Sequence, residues 1–87
     1  MITGIVLDSI WCTRKEDSLI GVKLMTVKLF DRENEEDGAI IVAADLIGAG
    51  VGERVLVTQG SSARRTSGLG ESPIDAIIVG IIDEKTE

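Results

Sequence analysis

Five short runs dominated by Ile, Val, Leu and Ala, each closed by a glycine, an acid or a charged cluster, set the terms on which this chain can fold. They are ITGIVLDSIWC (2–12), GVKLMTVKLFD (21–31), AIIVAAD (39–45), ERVLVTQ (53–59) and DAIIVGIID (75–83). β-Branched residues fit a pleated surface, and runs of this length between turn signals read as strands. The connections suit that reading: TRKEDSL is charged and turn-like, and DRENEEDG (31–38) is an acidic loop ending in Asp37-Gly38, a strong turn pair. In GSSARRTSGLGESP (60–73), Ser61 or Ser62 is placed to cap one helical turn, and Pro73 stands ahead of the last strand, where a missing N–H does least harm. Five short strands and one short helix predict an all-β fold, a small five-stranded OB-like barrel forming one domain over 1–87.

The faces of those strands constrain more than their number. Met25, Val27 and Leu29 share one face of the second strand, opposed by Leu24, Thr26, Lys28 and Phe30. In the first, Ile2, Val6 and Ile10 oppose Ile5, Leu7 and Trp11. In the last, Ile77, Val79 and Ile81 oppose Ala76, Ile78 and Ile82, so both faces are apolar. A small barrel has one inward face, and an outward apolar row ordinarily marks a protein contact. The alternative is that a loop or tail of the same subunit covers it. So short a chain has little left over to do so, which points to an oligomer.

Charge and composition remove other classes. The net charge is −6, and the chain holds one Trp, one Phe and no Tyr. A nucleic-acid partner needs a basic face and usually a stacking platform, so none is expected. With no histidine, the commonest general base and metal ligand is missing. The single cysteine, Cys12, excludes an internal disulfide; beside Trp11 in an apolar run it reads as a small buried hydrophobe. No run approaches the ~20 apolar residues of a membrane span, and the N-terminus lacks a signal-peptide pattern, so a cytoplasmic setting without membrane contact is expected.

The segment DLIGAGVGERVLVTQGSSAR (45–64) suggests a phosphate cradle, but its glycines do not have the required spacing. In Gly48-Ala49-Gly50-Val51-Gly52-Glu53 the third glycine falls one place early, an acid follows, and the next run is a strand rather than a helix. No Gly-Lys pair exists for the other phosphate loop. Ser61 and Ser62 have no histidine to activate them and no G-x-S-x-G flank. The acidic loop departs from the calcium-loop pattern. No catalytic residue, cofactor site or metal site is therefore expected. The glycines are read as places where a backbone approaches closely, to a neighbouring subunit or a symmetry axis.

Three separated segments resemble the EutN/CcmL family of bacterial microcompartment vertex proteins. They are TRKEDSLIGVKLMTV, through Thr13, Lys15, Leu19, Gly21, Lys23 and Leu24; AADLIGAGVGERVLV followed by GSSAR; and SPIDAIIVGIID. The resemblance spans nearly the whole chain. It implies an OB-like barrel that assembles into a ring, a pentamer in the usual arrangement, which closes the vertices of a polyhedral shell beside shell proteins of hexameric type. A hexameric ring is the alternative, because ring number follows small changes in interface angle. Within the matching segments, Asp45, Glu53, Arg64 and Asp75 are candidate polar contacts that set register between subunits. Gly48, Gly50, Gly52, Ser61 and Ser62 are candidates for close packing at an interface or near the axial pore. Val79 and Ile81 are candidates for apolar contact.

Overall fold

The computed structural model describes residues 1–30, 38–60 and 73–83. Five strands form, β1 (Ile2–Ser9), β2 (Leu24–Leu29), β3 (Ile40–Asp45), β4 (Arg54–Gln59) and β5 (Ala76–Ile81), all five within the expected runs. They close into a barrel in the order β1-β2-β3-β5-β4. Every neighbouring pair is antiparallel except β3 and β5, which run parallel and are registered at Ala44 opposite Ile77 and Asp45 opposite Ile78. This is the OB-like barrel predicted from the strand count.

Alternation along β2 works as read: Met25, Val27 and Leu29 point inward and are buried, while Leu24, Thr26 and Lys28 face out. The core is completed by Val6, Ala43, Ala49, Val55, Val57, Ala76 and Ile78, with Ile2 and Ile41 packed against it. Each such Val, Ile or Met contributes about 1.5–3 kcal/mol through burial. Gly4 lies in β1 between Leu29 of β2 and Val55 of β4. A Cβ there would stand 2.7 Å from Val27 Cγ1 and 2.8 Å from the Lys28 carbonyl oxygen, so only glycine lets the walls close.

Two bulges change the faces expected from strict alternation. In β1, Val6 pairs with Val27 but Asp8 with Thr26, leaving Leu7 as the extra residue. In β5, Ile78 pairs with Val57 but Gly80 with Leu56, leaving Val79 as the extra residue. Beyond each bulge the strand turns over. Gly80 therefore shares a face with Leu56, whose side chain would lie 3.4 Å from a Cβ at that position. Ile81 pairs with Val55, whose side chain fills the core, and does not continue the outward row of Ile77 and Val79. It ends at the barrel mouth, exposed.

The chain also differs from expectation between β1 and β2. The first strand stops at Ser9 rather than reaching residue 12, and Cys12 is exposed, not buried. Trp11 is 92% exposed. The bulge at Leu7 has turned the strand, and beyond the last bond to β2, from the Ile10 N–H to the Leu24 carbonyl at 2.9 Å, these side chains stand outside the core clusters. The charged stretch read as a turn contains a 3-10 helix, Asp17–Leu19. The helical turn expected at Ser61 or Ser62 lies outside the described residues.

That helix has a packing role. Leu19, Val22, Leu24 and Val79 pack on a second buried cluster formed by Ala44, Ile74 and Ile77. Ile77 is fully buried within the single subunit. The outward row of β5 is thus covered at Ile77 by the subunit's own segments, the alternative to coverage by a neighbour, while Val79 is only half-buried.

Candidate functional site

The glycine segment that resembled a phosphate loop connects β3 to β4 and is held by its own side chains. Asp45, the last residue of β3, is buried; its Oδ1 accepts hydrogen bonds from the backbone N–H groups of Ile47 and Gly48, both at 3.0 Å. A carboxylate that caps two successive amides is a strong local turn former. Ala49 then dips its side chain into the core. The Gly50 N–H donates to Glu53 Oε1 at 2.6 Å, and the Glu53 N–H returns to the Gly50 carbonyl at 3.1 Å. Finally Gly52 donates to the Val6 carbonyl, and Val6 donates to the Glu53 carbonyl, tying the loop to β1.

Gly48 and Gly52 have φ values of +86° and +89°, a backbone region that residues with a Cβ rarely enter. A Cβ on either would meet no atom within 4 Å among the described residues. Within one subunit, then, these glycines answer to conformation rather than to lack of space. Gly50 differs: a Cβ there would touch the Glu53 carboxylate at 3.4 Å.

Among the described residues, a cation reaches this loop from the segment that leads into β2. Lys23, just before β2, donates from Nζ to the Ala49 carbonyl at 3.3 Å and stands 3.4 Å from Asp45 Oδ2. The two side chains are unequally placed, the lysine 50% exposed and the aspartate 0%. Asp45 Oδ2 is buried without a hydrogen-bond partner among the described residues, so its contact with Lys23 is an ion pair lacking hydrogen-bond alignment.

The outcome of these bonds is a loop held at several points, with an apolar rim. Leu46, Ile47 and Val51 are between 44 and 64% exposed. A loop tied at both ends that displays three large aliphatic side chains is suited to contact with another protein surface. Among the described residues, no group of three or more His, Cys, Asp or Glu could hold a metal ion, and no helix is long and apolar enough to cross a membrane.

The candidates named from sequence divide accordingly. Asp45, Gly48, Gly50, Gly52 and Glu53 come together in this loop, and the carboxylates of Asp45 and Glu53 are engaged inside their own subunit. Asp75 is exposed, and its carbonyl accepts a 2.7 Å bond from the Gly60 N–H next to β4. It borders a groove of about 250 Å³ floored by Leu24, Val42, Ala44 and Ile74. Val79 lies at the β5 bulge and Ile81 at the barrel mouth. Ser61, Ser62 and Arg64 lie outside the described residues. Sequence reasoning missed Lys23 as a partner of the glycine loop; its only signal was its place in a family-like stretch, since the pairing joins residues far apart in sequence.

Residues 1–83 match the family model described as ethanolamine utilisation protein EutN/carboxysome. The chain is 45% identical over 78 residues to the carboxysome shell vertex protein CcmL of Synechocystis sp., covering 90% of this chain and 78% of that one. It is 42% identical over 81 residues to the bacterial microcompartment shell vertex protein EutN of Salmonella typhimurium, covering 93% and 82%. The solved structure of GrpN, a pentameric microcompartment shell protein from Rhodospirillum rubrum, superposes with a TM-score of 0.83 at 40% identity, covering 100% of this chain and 99% of that one.

Proposed function

This chain belongs to the EutN/CcmL family, and from that premise we infer that it is a structural shell protein of a bacterial microcompartment, a pentamer that closes a vertex of the polyhedral shell. The observation that carries the reading is the match of the whole barrel, end to end, to a pentameric shell protein. Its place is the shell of a compartment in the cytoplasm, and its role is geometric rather than enzymatic.

The barrel supplies what such a role needs. A cyclic ring is built from a heterologous contact, in which one patch of each copy docks on a different patch of the next. In this proposal the loop from Asp45 to Glu53, with its exposed Leu46, Ile47 and Val51, forms one side of that contact. Val79, Ile81 and Asp75, together with Ser61, Ser62 and Arg64, remain proposed contributors to the ring or its pore. The pentamer's neighbours in the shell are proposed to be shell proteins of hexameric type, because a five-fold unit bends an otherwise flat hexagonal layer. The OB-like strand order is shared with oligonucleotide binders, but a net charge of −6 and two aromatic residues favour the shell reading.

Native mass spectrometry of the full chain at low micromolar concentration tests this function. A five-copy species is the expected result. A monomer would overturn the ring, and a six-copy species would keep the shell role but remove the vertex geometry.

A further inference from the structure

Resting on the ring reading, we propose that Lys23 is the positioning residue of the subunit contact: it holds the β3–β4 loop in the shape that the next copy of this chain docks against. The lysine itself need not touch that copy. Its ammonium bridges two points of the loop, the carboxylate at the loop's start and the Ala49 carbonyl at its middle. Without it the Asp45 carboxylate, fully buried at its side chain, keeps an oxygen that has neither a hydrogen bond nor a facing cation among the described residues. That carboxylate also organises the Ile47 and Gly48 amides, so loss of the lysine loosens the arrangement that aims the apolar rim outward.

The barrel has less need of the pair. Lys23 is half exposed and packs outside the core clusters, so its removal opens no gap among the residues that close the barrel; the cost of leaving the buried Asp45 carboxylate unpaired falls on the loop that this carboxylate organises. Its larger effect falls on preorganisation. A contact loop already fixed in its bound shape spares the ordering cost at each docking event. The occupant is another copy of this chain because a closed ring makes every subunit present the same loop to its neighbour, so one loosened loop is repeated at each interface.

The test compares wild type, Lys23→Met and Lys23→Arg as full chains, using a native mass spectrometry dilution series and amide hydrogen exchange. The methionine variant should raise the subunit concentration at half-dissociation by about tenfold or more. It should speed exchange at the Ile47 and Gly48 amides while Val27 and Val57 keep their protection. The arginine variant, which retains a cation with several donors, should restore both readouts. A wild-type ring that dissociates at the same concentration as its methionine variant would overturn the proposal. So would a weakened ring accompanied by lost protection at Val27 and Val57, because Lys23 would then be holding the fold. A wild-type chain that is monomeric throughout would overturn the ring reading and this proposal together.

Discussion

At the residue scale, two kinds of glycine serve the fold for different reasons. Gly4 is needed for space, since a Cβ would press on the wall of β2 at 2.7 and 2.8 Å. Gly48 is needed for conformation, with φ at +86° and no atom of the described residues within 4 Å of an added Cβ. Gly4→Ala should therefore cost about 1–3 kcal/mol by overpacking, seen as a lowered midpoint in urea unfolding. Gly48→Ala should cost about 1–2 kcal/mol through backbone strain alone. The two reasons separate when a larger residue is used. Gly4→Val should be markedly worse than Gly4→Ala in the same titration, because added bulk meets the Val27 side chain and backbone.

At the element scale, the segment between β1 and β2 is held to the barrel by a small cluster. Ile77 is its centre, fully buried between the sheet and the 3-10 helix segment. Ile77→Ala should destabilise the subunit by about 2–5 kcal/mol in thermal or urea unfolding. The same truncation at the exposed Ile81 should cost far less. Strict alternation would have placed both residues in one row. Local pattern reveals a strand because side chains alternate with every residue, and all five strands were legible on that basis. It does not reveal where a strand gains an extra residue, since the bulges at Leu7 and Val79 answer to the curvature of barrel closure. The 3-10 helix was equally hidden, as a three-residue turn has no period of its own. Within the loop, the glycine spacing was legible as non-phosphate. The clamp by Lys23 was not, because it depends on which strands the barrel sets side by side.

At the scale of the whole molecule, the acidic barrel and its apolar loop rim divide two requirements. In the proposed ring, the charge of −6 disfavours unspecific association between separate rings, and the exposed rim is the place proposed for neighbouring subunits to meet. Val51→Asp should accordingly shift the chain from ring to monomer by native mass spectrometry while leaving its circular dichroism spectrum unchanged. Val51 is 64% exposed, so the isolated barrel loses little packing. The side chain of Trp11 offers a separate view of assembly. It is the chain's one indole and stands almost entirely in water beside the sole thiol. Its fluorescence belongs to a single, known point on the surface, and Cys12 accepts one dye next to it without any mutation. In rings assembled from labelled and unlabelled copies, the indole of an unlabelled copy senses the dye on its neighbour, and the distance between neighbouring subunits becomes a spectroscopic quantity.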